Sequence, residues 1–173
     1  GEDGIYPIMI QKGMEYLEPH ITSLFRESIR QGRPATEWTK IKAAFIPKPG
    51  KSDYLTAKSF RPISLSSFML KGLERIILWH IQSNTLVNKP INSNVFSYNE
   101  GMSTETALHK VVYKIEKSLS ENNFAIVIFL HISGAFSNTS ISSLIRDLAE
   151  TGMETELLQW TAYLLINLSL IHI

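Results

Sequence analysis

Seven consecutive apolar residues, Phe124 to Leu130, constrain the fold of this chain more than any other stretch. The run reads Phe-Ala-Ile-Val-Ile-Phe-Leu, rich in β-branched and aromatic side chains, and predicts a strand buried on both faces. Its carboxyl end changes character at once, to His131, Ser133, a turn-forming Gly134, Phe136, Asn138 and Thr139. A buried strand that hands polar side chains to a tight turn and then to a helix is a common way to build a catalytic floor.

Helical periods lie on either side of that run. Leu17, Ile21, Leu24 and Phe25 predict a helix within Ile8 to Ile29, with Pro19 as a break or first-turn residue and Gly32-Arg33-Pro34 as its end. From about Ser67 a second helix carries Leu73, Ile76, Ile77, His80 and Ile81 as an apolar stripe, on which His80 is expected to be packed or hydrogen-bonded. Asn84 to Asn94, rich in Asn, Ser and Pro, reads as a loop too short to separate two domains. Ser103 is placed as an N-cap with Glu105 in the first turn, and Leu108, Val111, Val112, Ile115 and Leu119 give the helix it opens a buried face. Ser140 caps a further helix bearing Ile141, Leu144, Ile145 and Leu148, which Gly152 stops. A last helix uses Leu157, Leu158, Thr161, Leu164 and Leu165. Helices grouped around one apolar strand imply an α+β fold, with helices packed on a small antiparallel sheet.

The segment Trp38 to Leu65 is of another kind. Ile41 to Ile46 fits a short strand, and Pro47, Pro49 and Gly50 force a turn that exposes Lys48 and Lys51. A polar loop, Asp53 to Ser59, then leads into Phe-Arg-Pro-Ile-Ser-Leu, residues 60–65. Between Arg26 and Arg75 there are eleven Lys or Arg against four Asp or Glu, although the whole chain carries only +1. From Ser120 onward one cation, Arg146, faces five acidic residues. A basic front half suits a polyanion, nucleic acid or a nucleoside triphosphate, and the bland alternative is a solvated surface.

At 173 residues the chain is long enough for one domain with a sizeable core, and 44% hydrophobic with 19% charged residues argues against wholesale disorder. The absence of cysteine excludes a disulfide scaffold and a thiolate zinc site, and it fits an intracellular setting. No run reaches the roughly 18 apolar residues of a membrane span; Trp160 to Ile173 comes nearest, is broken by Thr161, Asn167 and Ser169, and is read as core. Gly-Glu-Asp-Gly at the start shows neither an initiator Met nor a signal pattern, so an excised or partial chain is expected.

Three phrases in order, the hairpin Ile-Pro-Lys-Pro-Gly-Lys to Phe-Arg-Pro-Ile-Ser-Leu, the turn Phe96 to Leu108, and the run ending at Phe136, resemble the reverse transcriptases of jockey-type non-LTR retrotransposons. The likeness extends from about Trp38 to Trp160. It implies part of a right-hand polymerase, fingers over about 1–120 and the start of the palm over about 121–173, in a single partial domain. By that resemblance the activity is RNA-directed DNA polymerisation, with an RNA template, a DNA primer and dNTP as partners and no membrane. Lys48 and Arg61 would clamp the triphosphate, Arg by bidentate contact and Lys as a mobile charge. Phe136 would pack under the incoming sugar, and Ser103 and Thr104 would reach the template backbone, although capping explains both equally well.

Two departures bear on chemistry. The family's strand ends in an aspartate that holds two Mg²⁺ ions, and this chain has His131 there; Met102 stands in the usual Arg place and removes a phosphate contact. Two-metal nucleotidyl transfer needs ions about 3.5–4 Å apart on hard oxygen ligands, which imidazole replaces poorly. The later Asp-Asp pair of the family also lies outside this sequence, and Asp147 on its helix is no substitute. The resemblance therefore implies no metal bound by this chain and no polymerase activity as it stands. The alternatives are a non-catalytic nucleic-acid-binding remnant, or a remnant without function whose central strand is left unpaired on one edge.

Overall fold

Trp160 is where the larger part of the chain closes on itself. Its indole is buried, and Nε1 donates a hydrogen bond of 3.0 Å to Ser28 Oγ, which in turn donates to the carbonyl of Arg33 at 2.9 Å. The computed structural model describes residues 3–133, 138–167 and 169–171. These form two compact units, one of residues 1–87 with 140–173 and one of residues 88–139.

The first unit begins with helix α1, Pro7–Arg30, which runs through Pro19 without a break. Pro19 has no N–H to give the preceding turn, but this stretch of α1 is exposed, so water can serve the freed carbonyl. Helix α1 meets the core through Ile10 in its first half and through Ile21, Phe25 and Ile29 in its second. Gly32, at φ +63°, turns the chain in the left-handed region, and a Cβ there would stand 3.2 Å from Gln159 Cβ. A 3₁₀ turn, Thr36–Thr39, buries Trp38, whose ring meets Phe25 edge-on at 5.9 Å.

Strands β1, Lys40–Pro47, and β2, Phe60–Leu65, pair antiparallel, with Lys42 opposite Leu65 and Pro47 opposite Phe60. Strand β1 buries Ile41 and Ala43 and leaves Lys40 exposed, the alternation of a strand with one covered face. Helix α2, Phe68–His80, is capped by the Ser67 hydroxyl, which accepts from the Met69 amide at 3.1 Å. It contributes Met69, Leu70, Leu73 and Ile77 to the core. A π turn, Ile81–Thr85, and a short α3, Leu86–Asn88, follow.

The chain returns to this unit in α5, Ile141–Glu150, with Ser140 as its cap, and in α6, Thr155–Asn167, with Gly152 at φ +85° making the turn between them. Met153, Leu157, Trp160 and Leu164 complete the core against α2. Strand β3, Ser169–Ile171, then joins the sheet beside β1 and parallel to it, giving the order β2-β1-β3. The α+β class holds, and the β1–β2 pair is antiparallel as expected. The third strand makes the sheet mixed; the sequence places this stretch in the core and assigns it no strand.

The second unit has one long element, α4, Thr104–Ser120. Ser103 caps it in a reciprocal box, its hydroxyl accepting from the Thr106 amide at 3.1 Å while Thr106 Oγ1 accepts from the Ser103 amide at 2.8 Å. Two expectations fail here. The buried face assigned to α4 is not buried: Leu108, Val111, Val112 and Leu119 are exposed, and no described residue of this unit is buried. Nor is Phe124 to Leu130 a buried strand. It is irregular chain outside any helix, turn or sheet, with Phe124 98% and Leu130 90% exposed. The reason is one of partners. A strand is held by neighbouring strands, and the one sheet among the described residues belongs to the other unit. The run and α4 share an open groove, but among the described residues of this unit none is buried, so their apolar periods form no core.

Candidate functional site

The hairpin of the first unit carries the two residues expected to hold phosphate. Register sets Arg61 opposite Ile46, and just beyond the ladder the Lys48 amide donates to the Ser59 carbonyl at 2.8 Å. Lys48 and Arg61 are therefore brought onto one hairpin end, but they are not equivalent. Arg61 is exposed and has no hydrogen bond or ion pair among the described residues. Lys48 is half-buried, and its Nζ donates to the Lys58 carbonyl at 2.8 Å.

That contact is one of several that brace the connecting loop. Tyr54 donates its hydroxyl proton to the Lys48 carbonyl at 2.8 Å and sets its ring edge-on to Phe60 at 6.1 Å. Asp53 Oδ1 accepts from the Leu55 amide at 2.8 Å in an Asx turn, and Ser59 Oγ donates to the Asp53 carbonyl. Lys51 and Lys58 stay exposed on this braced loop. Sequence reasoning passed over Tyr54 by treating residues 53–59 as a polar loop. An aromatic between Asp53 and a β-strand was the available signal.

Ser103, Thr104 and His131 belong to the second unit, and Phe136 lies outside the described residues. The Ser103 hydroxyl and both hydrogen-bonding groups of Thr106 are occupied in the cap, which leaves Thr104 the freer of the two candidates on this turn. Tyr98, five residues before Ser103, adopts φ +60° with its ring 89% exposed. A non-glycine residue there is uncommon and strained, and no sequence signal separates it from other loop aromatics. Lys110 reaches back over the Phe96 ring at 5.4 Å, fixing α4 to the same turn. His131 is exposed on chain outside any helix or strand.

The Mg²⁺ pair that the resemblance implies does not fit the donors present. Among the described residues no group of three or more His, Asp or Glu is arranged to hold a metal, and the side chain at 131 is an imidazole. His80, the other histidine considered, is hydrogen-bonded as expected. Its Nδ1 accepts from Asn84 Nδ2 at 3.2 Å, which leaves Nε2 to donate to Glu154 at 3.0 Å.

Perturbed carboxyls lie away from the hairpin. Glu27 is held down to about 2, chiefly by the hydrogen bonds from Arg30 and Gln31, and Arg30 is raised by the same contact. Partial desolvation pushes Glu74 up although the residue is exposed, with Lys71 opposing the shift in part. No described helix is long and apolar enough to cross a membrane.

No family model matches the chain. Over 117 residues it is 31% identical to the RNA-directed DNA polymerase from mobile element jockey of Drosophila funebris, covering 68% of this chain and 13% of that protein. It is also 31% identical over 117 residues to the probable RNA-directed DNA polymerase from transposon X-element of Drosophila melanogaster, with the same coverage. A third relative, the probable RNA-directed DNA polymerase from transposon BS of Drosophila melanogaster, is 26% identical over 109 residues, 63% of this chain and 12% of its own length. The chain thus spans 12–13% of the length of the curated relatives it matches.

Proposed function

We propose, from the premise that this chain is related to the RNA-directed DNA polymerases of jockey-type transposable elements, that it is a piece of such a polymerase that does not add nucleotides by itself. Residues of about 1–120 would correspond to fingers and about 121–173 to the start of the palm. RNA template, DNA primer and dNTP are the partners of the parent activity, and an intracellular location goes with them. His131 is the observation that carries the inactive reading. It occupies the slot of a metal-holding carboxylate, and an imidazole is a poor ligand for Mg²⁺.

Primer extension on an RNA template with the pure chain, in Mg²⁺ and in Mn²⁺, is expected to give no product. His131→Asp is expected to leave that result unchanged, because a single carboxylate cannot hold two ions. Incorporation by either protein would overturn the reading.

A second reading, a non-catalytic nucleic-acid-binding remnant, is favoured by one feature of the hairpin, the exposed and unengaged Arg61 beside Lys51 and Lys58. Binding to a primer–template is expected to weaken steeply with salt. Arg61→Ala is expected to lower the salt slope by about one. Lys48→Ala is expected to leave the slope nearly unchanged and to loosen the loop instead, since its ammonium already serves the Lys58 carbonyl. Equal slopes for Arg61→Ala and the parent chain would remove the hairpin from the interface. Phe136, Ser103 and Thr104 keep their proposed places under the sugar and along the template.

A further inference from the structure

We propose that Phe124 to Leu130 is a homotypic pairing segment, through which two copies of this chain join as an antiparallel strand pair with a two-fold axis at Val127. The inference goes beyond the polymerase reading and does not rest on it.

Both the backbone and the side chains of the run are available. It lies outside every helix, turn and strand, it pairs with no strand among the described residues, and Phe124, Ile126, Ile128, Phe129 and Leu130 are exposed. Its start is tied to α4 by the Ser118 hydroxyl, which donates to the Phe124 carbonyl at 3.3 Å. An open groove of about 420 Å³, lined by Val111, Lys114, Ile115, Ser118 and Phe124 to Ile128, continues the surface of the run onto the helix, with Lys114 as its one charged group. An edge that is long, uncharged and free of Pro and Gly lacks every device by which proteins keep strands from pairing with other chains.

A second copy is the occupant because the run is nearly its own reverse. Set antiparallel about Val127, Ile126 faces Ile128, Phe124 faces Leu130, and the small Ala125 faces the large Phe129. Apolar groups meet apolar groups at every position, and each cross-strand contact occurs twice, as an isologous interface requires. Charge does not oppose the pairing. Residues 88–139 hold four Lys or Arg and four Asp or Glu, and the whole chain carries +1. The area is sufficient as well. Two phenylalanines cover about 300–500 Å² per copy. With the isoleucines, Leu130 and the α4 stripe added, two copies reach the roughly 1,200–2,000 Å² of a stable interface.

The chain has no cysteine, so one introduced thiol can cross-link only to its own copy. In the proposed register residue 127 faces residue 127 at a Cα separation of about 4.5–5.5 Å, within disulfide reach. The two copies of residue 124 are about 20 Å apart along the strands. Val127→Cys in the full chain is expected to oxidise to a covalent dimer, and Phe124→Cys to do so at least about tenfold more slowly. Sedimentation of the parent chain is expected to show a reversible monomer–dimer equilibrium. Ile126→Lys is expected to abolish it. Ile126→Lys combined with Ile128→Glu is expected to restore it, because the ammonium at position 126 of each copy then faces the carboxylate at position 128 of the other. Trp38, Trp79 and Trp160 all lie in the first unit, so unchanged tryptophan emission checks that this unit remains folded in the variants, and unchanged helical circular dichroism checks α4. A parent chain that stays monomeric at high micromolar concentration overturns the proposal. So does equal cross-linking at 124 and 127, or large aggregates insensitive to Ile126→Lys.

Discussion

Single side chains hold the larger unit at a few points where geometry leaves no slack. Ser28 stands between the Trp160 indole and the Arg33 carbonyl, and its removal strands a buried N–H. Ser28→Ala is therefore expected to cost about 1–3 kcal/mol, read from urea denaturation. Leu73, with no exposed surface, is expected to cost about 2–5 kcal/mol as Leu73→Ala. Glu74 works the other way. The residue is exposed, and partial desolvation by its neighbours raises its folded pKa above the unfolded 4.5, so the folded state takes up its proton first as pH falls. Stability from this residue therefore rises with acidification, and the cost of partly desolvating the charge is fully present above the raised value. Glu74→Gln is expected to raise the melting temperature at pH 7 and to lose that advantage at pH values below 4.5, near which the unfolded carboxyl titrates. An advantage that does not change with pH would show that packing, not charge, is responsible. At this scale the chain was legible where chemistry is local: Ser103 and Ser140 are caps because Ser accepts from amides one turn on, whereas the cap role of Ser67 came only with the structure. Which hydroxyl the Trp160 indole finds, 132 residues away, was not, because no local pattern encodes it.

Elements were legible as far as their periods go, and no further. The helix over Ile8 to Ile29 was expected to break or begin at Pro19, and α1 instead continues through it. Its second half is anchored in the core by Ile21, Phe25 and Ile29, which holds the helix across a residue that would otherwise end it. Interior proline disfavours a helix by about 3 kcal/mol relative to alanine. Pro19→Ala is accordingly expected to stabilise the protein by about 1–3 kcal/mol, seen as a higher urea midpoint. A lower midpoint would mean that the core depends on a bend at this proline. In α4 the spacing of Leu108, Val111, Val112, Ile115 and Leu119 gave the helix correctly, but periodicity states only which face would be buried. Whether it is buried depends on a partner. The same gap separates the apolar content of Phe124 to Leu130, plain in the sequence, from the sheet it would need. The hairpin was legible in outline, through Pro47, Pro49 and Gly50. The engagement of Lys48 with Lys58 was hidden, since it depends on how Tyr54 and Asp53 fold the loop.

Across the whole molecule, burial is divided unequally, and stability should be divided with it. Every residue of the buried core cluster lies in residues 1–87 or 140–173, while residues 88–133 include none that is buried. Opening of backbone hydrogen bonds is resisted where apolar contacts must be broken with them, and costs little where none exist. Hydrogen exchange is therefore expected to find the amides of α2 and α6 protected to the level of global unfolding. Those of α4 should be protected only by the helix itself and its Ser103–Thr106 cap, which is weak for 17 residues in water. Amides from Phe124 to Ile132 should exchange almost freely in dilute solution, because no described strand accepts or donates to them. Raising the protein concentration should slow exchange over Phe124 to Leu130 while leaving α2 and α6 unchanged, since strand pairing protects only the segment that pairs. Strong protection of this run at high dilution would mean that it is already covered within one chain, and the unequal division of burial would then be wrong.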